Sequence, residues 1–274
     1  MNHLEYEPFI GFIGTGSLGF PIAENMLKSG ASLRIYNRTQ DKARTLEAYG
    51  AVLVSSPADA IPVTGGILIS VVSDDQAMQQ IVDSEQFWDN WSAGGIHVCM
   101  STLSEDMALA MAKQHASHGV QYVSAPVFGR PEAARRRQLS ICLSGSDSKT
   151  RSNVQALLQS VSQSCFDFGD RADAAILVKL CGNYMISAAA STMADVSQFI
   201  SRKGLNPHEV NHMLTSTLFN TPIYQNYGKI MADQPDGFQM NWTALKDLDY
   251  FRKAHSKIDS QSELANVLYN MFHS

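Results

Sequence analysis

Apolar and polar positions follow one rhythm up to about Gly169 and another after it. In the first part, short apolar runs bounded by glycine, serine and asparagine recur at 9–13, 33–36, 51–54, 66–72, 96–100, 120–124, 139–143 and 165–168. Runs of that length read as strands. Between them, apolar residues three and four apart predict helices: one after Gly19 that stops at Gly30, and others over 41–49, 104–118 and 148–160. After Gly169 the spacing is helical throughout. A single pattern without proline runs over 172–203 and closes at Gly204, and shorter ones cover 207–218, 222–231, 243–256 and 262–272. The longest spans roughly 45 Å at the helical rise, and Asn206-Pro207 supplies an N-cap with proline in the first turn. Strands alternating with helices and then helices alone predict two domains, α/β over 1–170 and all-α over 171–274, the second opening with the long helix 172–203.

The first strand runs into Gly14-Thr15-Gly16-Ser17-Leu18-Gly19, and the second ends in Asn37-Arg38-Thr39. Three spaced glycines between a strand and a helix, in a unit of about 30 residues, are the context of a dinucleotide-binding turn. Gly14 suits the tight turn, Gly16 lets the backbone approach a pyrophosphate, and Gly19 lets helix and strand pack. The N–H groups of Ser17, Leu18 and their neighbours at the helix N-terminus suit phosphate. An NAD enzyme usually carries an acid after the second strand. Asn37 and Arg38 instead suit a 2′-phosphate, so NADP is expected over NAD. The fold expected is therefore a Rossmann-type, doubly wound parallel sheet followed by the helical domain, with the long helix as an interdomain helix. The run 66–72 reads as a central strand buried on both faces. Its carboxyl end, with Val72 and Ser73, falls where open α/β sheets bind ligands.

Composition narrows the setting. Of 274 residues, 45% are apolar and 17% charged, an ordinary globular balance, and the formal net charge of −5 gives no reason to bind nucleic acid or an anionic membrane. No uninterrupted apolar run approaches the roughly 18 residues of a membrane span. Residues 1–8 are polar and acidic, unlike a signal peptide. The four cysteines, mostly within apolar runs, form no CxxC pair and are expected as reduced, buried thiols. A cytoplasmic protein with a small-molecule substrate and no metal is the expectation.

Candidate chemistry lies at a few positions. Lys179 and Asn183 are four apart at the start of the long helix, hence on one face. An ammonium beside a carboxamide can move a proton and hold the group that receives it. The alternative is a surface lysine, but Leu177, Val178 and Leu180 surround it and the helix begins where the cofactor domain ends. Ser101-Thr102 ends a strand at the carboxyl edge and suits either helix capping or binding of a carboxylate or amide. Phe128-Gly129-Arg130 leaves another strand in a turn-rich loop, where function concentrates. Arg135-Arg136-Arg137 reads as a solvated loop, His115 and His118 as an exposed helix end, and Lys246-Asp247 as surface decoration. His208-Glu209-Val210-Asn211-His212 matches the zinc-protease HExxH. Its helix, however, is expected to bury Val210, Met213, Leu214, Thr217 and Leu218, which turns both histidines to solvent.

These pieces, in this order, resemble the β-hydroxyacid dehydrogenase family, which includes 3-hydroxyisobutyrate dehydrogenase and the glyoxylate/succinic semialdehyde reductases. The resemblance covers nearly the whole chain, from the Gly14–Gly19 turn through Asn37-Arg38-Thr39, Met100-Ser101-Thr102, Ala125-Pro126-Val127-Phe128-Gly129 and Lys179-Leu180-Cys181-Gly182-Asn183 to Lys246-Asp247-Leu248. It implies NADP-dependent hydride transfer to or from a short β-hydroxy acid or its semialdehyde, and a homodimer or homotetramer. It implies that Lys179 is the acid/base, that Asn183 orients substrate, that Thr102 and Lys246 contact the cofactor, and that Ser101, Phe128, Gly129 and Arg130 line the substrate. One departure is plain. Where the family has Asp-Ala-Pro-Val-Ser-Gly-Gly, this chain has Ser124-Ala125-Pro126-Val127-Phe128-Gly129-Arg130. A polar anchor has become a large apolar group, so a bulkier or less polar substrate is expected, because an apolar wall discriminates weakly. Relatives also continue past Phe272, so a shortened C-terminus is expected. The alternatives are an NADPH-dependent imine reductase-like enzyme and a non-catalytic NADPH-binding protein.

Overall fold

Burial of alternate and helical-phase apolar residues builds an N-terminal unit whose central sheet is parallel throughout. The computed structural model describes residues 9–62, 65–258 and 262–273, so the reading of residues 1–8 lies outside the described residues. The chain divides into two compact units, 1–179 and 180–274.

In the first unit, β1 (Ile10–Ile13), β2 (Leu33–Tyr36), β3 (Val52–Leu53), β4 (Ile67–Ser70), β5 (Ile96–Cys99) and β6 (Gln121–Ser124) form one sheet in the order β3-β2-β1-β4-β5-β6. Every neighbouring pair in it is parallel. Helix α1 (Gly19–Lys28) returns the chain from β1 to β2, and α2 (Asp75–Val82) and α3 (Glu105–Ser117) follow β4 and β5. The central strands are buried on both faces: Phe12 and Ile69 belong to one core cluster, Ile13 and Leu68 to the other. Ile22, Ala23, Met26 and Leu27 of α1 seal the first. Each large side chain so buried contributes about 1.5–3 kcal/mol.

The structure departs from the expected elements in four places, each for a local reason. The stretch expected as a helix over 41–49 is two 3-10 segments, Gln40–Lys42 and Arg44–Tyr49. Its buried anchors, Ala43 and Leu46, are three apart, which matches three residues per turn. Helix α2 was not anticipated, although Asp74 caps it by accepting from the Ala77 N–H at 2.7 Å. The later strands do not extend the first sheet. Instead β7 (Val127–Phe128), β8 (Leu139–Leu143) and β9 (Ser162–Asp167) make a second sheet, antiparallel at β7–β8 and parallel at β8–β9. An antiparallel bridge between Ser124 and Ser144 ties it to the end of β6. The short α4 (Pro131–Arg135), also not anticipated, and α5 (Ser148–Leu158) connect its strands.

Helix α6 (Ala174–Arg202) begins in the first unit and continues into the second, which holds α7 (Pro207–Ser216), α8 (Pro222–Asp233), α9 (Trp242–Ser256) and α10 (Glu263–Phe272). Among the described residues α6 is the one helix long and apolar enough, by length and mean composition, to cross a membrane. Lys179, Asn183 and Asp195 interrupt it. The fourth departure is α7. None of its residues is buried, with Met213 52% exposed and Leu218, just beyond its end, 78%. The expected apolar stripe is only partly covered: Val210 and Leu214 are half-buried, whereas Met213 and Leu218 stay exposed.

Candidate active site

The parallel register gathers the first group of candidate residues. Ile13 pairs with Tyr36 and with Ser70, Ser70 with Cys99, and Cys99 with Ser124, so the residues that follow these strands emerge along one carboxyl edge. Hydrogen bonds then lock the loops together. The Gly14 N–H donates to Tyr36 O at 2.9 Å, and the Thr15 N–H to Asn37 Oδ1 at 2.8 Å. Asn37 in turn donates from Nδ2 to Thr39 O at 2.7 Å. The Val71 N–H donates to Ile13 O at 2.8 Å, and the Val72 N–H to Ser101 Oγ at 2.7 Å. Asn37 and Ser101 therefore shape the edge with their side chains. Ser101 is 3% exposed and is not the cap of α3, a role taken by Ser104. Arg38 and Ser73 are exposed there, and Thr102 and Val72 are half-buried.

The three glycines of the turn are needed for different reasons. Gly14 has φ +95°, and a Cβ on it would collide with Val71 O, while a Cβ on Gly19 would collide with Gly14 O. Folding alone requires both. A Cβ on Gly16 would meet nothing within 4 Å, and its backbone is not left-handed. Nothing in the protein explains that glycine. Close approach of a ligand does, and Gly16 lies in the turn that leads into the N-terminus of α1, where the helix dipole favours an anion. The residues present therefore fit a dinucleotide pyrophosphate.

The second group lies where α6 starts. Lys179 is 9% exposed, and its Nζ sits 4.2 Å from the centre of the Phe128 ring on β7. Gly129, at φ +142°, turns the chain away after Phe128, and a Cβ there would crowd Leu139. Arg130 is well exposed and lies 3.9 Å from Glu132. Lys179 and Phe128 thus meet, while Arg130 points to solvent.

The third group belongs to the helical unit and holds a residue that the sequence did not flag. Asn183 Nδ2 donates to Asp247 Oδ2 at 2.5 Å, and Lys246 Nζ lies 2.9 Å from Asp247 Oδ1. Asp247 is 3% exposed and the Lys246 side chain 7%, so this pair is not surface decoration. Leu248, immediately after it and 1% exposed, was the available signal that this face of α9 is buried. Lys246 also lies over the Tyr250 ring at 4.7 Å.

A buried polar chain runs beneath the carboxyl edge, and it corrects the reading of His115, which is fully buried while His118 is exposed. His115 Nδ1 lies 2.7 Å from Met111 O, a pure acceptor, so Nδ1 carries the proton and Nε2 accepts. His97 Nδ1, 2.7 Å from that Nε2, must donate, which leaves His97 Nε2 to accept from Ser70 Oγ at 2.8 Å. Both imidazoles are satisfied only when neutral. Burial pushes His115 down to about 4, and burial followed by the neighbouring His115 pushes His97 well below its usual range. Burial also raises the thiol of Cys99 and the phenol of Tyr122 beside them. Of the four free thiols, Cys99 and Cys142 are buried, whereas Cys181 is exposed, contrary to expectation.

In the HExxH stretch both histidines are exposed, and His208 lies 3.5 Å from Asp233. Among the described residues no group of three or more His, Cys, Asp or Glu could hold a metal ion.

The chain is similar to several known proteins. Residues 9–169 match the family described as the NAD binding domain of 6-phosphogluconate dehydrogenase. The uncharacterized oxidoreductase YfjR of Bacillus subtilis is 32% identical over 97% of this chain and 93% of its own length. The crystal structure of 3-hydroxyisobutyrate dehydrogenase from Salmonella typhimurium superposes with a TM-score of 0.84 over 97% of this chain and 93% of that one, at 20% identity. Psf3, solved in complex with NADP+ and 2-OPP, superposes at 0.83 over 96% and 93%, at 22% identity.

Proposed function

The chain belongs to the β-hydroxyacid dehydrogenase family and is an oxidoreductase with a dinucleotide-binding domain; on that premise we propose that it moves hydride between NADP(H) and a short β-hydroxy acid or its semialdehyde, with Lys179 as general acid/base. The observation that carries the proposal is a buried lysine in the compact unit whose sheet edge bears the glycine turn. A lysine largely withdrawn from water is one whose proton affinity its surroundings can tune, which acid/base chemistry requires.

Nicotinamide chemistry supplies the hydride when the cofactor is bound. The chain's own residues do the rest. The α1 N-terminus and Gly16 receive the pyrophosphate, Asn37 holds the turn in shape, and Arg38 offers its guanidinium to the 2′-phosphate. In reduction Lys179, as ammonium, protonates the substrate oxygen as the carbonyl carbon gains hydride. In oxidation the neutral amine takes the hydroxyl proton. Asn183, with one amide N–H committed to Asp247, offers its Oδ1 and its other N–H to the substrate. Lys246, fixed by the same carboxylate, contributes positive charge. The substrate carbon chain meets Phe128, which favours a bulkier or less polar group than a serine would.

An NADPH-oxidation screen over small aldehydes, keto acids and imines tests the activity. In Lys179→Ala, turnover should fall by about 10²–10⁴-fold with NADPH affinity near normal; unchanged turnover removes the lysine from its role. Arg38→Ala should weaken NADPH by roughly tenfold and NADH hardly at all; equal effects would mean that Arg38 does not touch the phosphate. The exposed guanidinium and the likeness to Psf3 with its NADP+ support NADP as the cofactor.

Imine reduction is a second reading, favoured by the apolar Phe128 and opposed by retention of the lysine. Relative turnover of a cyclic imine and of succinic semialdehyde separates the two. The uncovered apolar residues of α7 and its neighbourhood support a homodimer or homotetramer, which light scattering would count.

A further inference from the structure

The second sheet sorts its residues by face. Val127, Leu139, Ile141 and Leu143 point into the main core, all less than 5% exposed. Phe128 is opposite Ser140 in the β7–β8 register, and the Cys142 N–H bonds to Pro126 O at 3.0 Å. Residues alternate across a strand, so Phe128, Ser140 and Cys142 share the other face. Phe128 belongs to neither of the first unit's core clusters. That face continues on β9 with Ser164 and the exposed Phe166, so it is not a packed apolar layer that the Phe128 ring completes. What the ring touches is the Lys179 ammonium, 4.2 Å from its centre.

We propose that Phe128 is a positioning residue: its ring face holds the Lys179 side chain as a buried ammonium. The negative face of an aromatic ring attracts a cation within about 6 Å, more strongly where water is excluded. A ring offers no lone pair to take the lysine proton, whereas a serine hydroxyl in the same place would. The ring stabilises the charged form of the amine only, and removing it therefore lowers the pH at which Lys179 loses its proton.

Other groups nearby bear on that charge. Cys142 faces it from β8, and the lysine offsets part of the rise that burial imposes on that thiol. Beyond β7, Arg130 and Glu132 are exposed and lie 3.9 Å apart. On the approach to α6, Arg171 is ion-paired with the buried Asp173. The consequence for catalysis rests on the acid/base role proposed for Lys179, but the clamp itself can be measured without a substrate.

The experiment is a 13C NMR titration of the protein after reductive 13C-methylation, which keeps lysine charged. Lys179→Arg assigns the signal. In the unsubstituted protein the Lys179 methyl resonance should be displaced by the ring current. In Phe128→Leu that displacement should vanish and the titration midpoint should fall by about one pH unit, whereas Phe128→Tyr should keep both. Identical midpoints in the Leu and Tyr variants, or no ring-current displacement in the unsubstituted protein, overturn the clamp; the second readout stands even if Phe128→Leu fails to fold. If Lys179→Ala keeps its turnover while the midpoint shifts, the clamp holds and the proposed function fails. If turnover is lost and the midpoint does not move, the reverse is true.

Discussion

Each helix that follows a strand of the six-stranded sheet buries a stripe within the N-terminal unit: Ile22, Ala23, Met26 and Leu27 on α1, Met78, Ile81 and Val82 on α2, Ala108, Met111 and His115 on α3. In the C-terminal unit α7 buries none of its residues, and Met213, Leu218, Ile230, Trp242, Leu264 and Val267 stand between 41% and 78% exposed. Both units carry amphipathic patterns of similar quality in the sequence. The difference lies in what the pattern faces. A helix against a parallel sheet meets a continuous apolar surface on its own chain. A helix at the edge of a small bundle has its apolar side covered only when something else supplies the surface, which in our reading is a second copy.

Paired truncations would break or sharpen the contrast most. Ile69→Ala, at a fully buried position on β4, should cost about 2–5 kcal/mol in denaturant unfolding. Leu218→Ala should cost less than about 0.5 kcal/mol at low protein concentration and lower the proportion of oligomer in light scattering. Similar losses for both would show that the two units bury apolar surface alike.

Acid should also act on the two units unequally. The folded first unit holds His115 at about 4, while the unfolded chain takes up a proton near the reference value of 6.5. Below 6.5 the unfolded state binds more protons, so stability is lost as pH falls from 6.5 toward 4 and is fully retained above that window. His115 alone accounts for about 3 kcal/mol over it, and His97 adds in the same direction. Trp88 and Trp91 lie against these histidines, whereas Trp242 is in the helical unit. Unfolding followed by fluorescence in a Trp242→Phe background at pH 7 and pH 4.5 should therefore show a large loss, reduced in His115→Gln. An unchanged midpoint would contradict the neutral pair.

A more modest loss than that of the core truncation belongs to the polar centre of the helical unit. Asp247→Asn removes the charge that Lys246 and Asn183 share, and should cost about 1.5–3 kcal/mol of stability while lowering turnover more than NADPH affinity. Loss of affinity alone would confine Asp247 to the cofactor.

Much of the site was legible because its chemistry is local. The glycines, Asn37-Arg38 and the ends of β4 and β5 are short segments whose geometry follows from strand–turn–helix rules, and the parallel register then brings them together. The second sheet was less legible. Its strands were visible, but β7 is only Val127–Phe128, and its pairing with β8 depends on the chain turning at Gly129. His115 is not legible as buried because a histidine near a helix end is usually solvated, and only its contact with His97 on β5 reveals the burial. Asp247 is hidden in the sequence for a similar reason. An adjacent Lys-Asp pair is commonly a surface feature, and what makes it otherwise is Asn183, 64 residues earlier.

By itself, the sequence determined the α/β-then-α order, the dinucleotide turn and the residue types available for acid/base chemistry, because periodicity, glycine spacing and side-chain identity are properties of contiguous chain. The tertiary structure alone decided that Gly16 has no packing reason to be glycine, that Phe128 faces Lys179 rather than the core, that Asp247 holds Asn183 and Lys246, and that the apolar stripe of α7 is only half-buried. Each of those is a relation between residues distant in sequence. Burial and distance, which set the strength of every charge and ring contact in the site, exist only once the chain has folded.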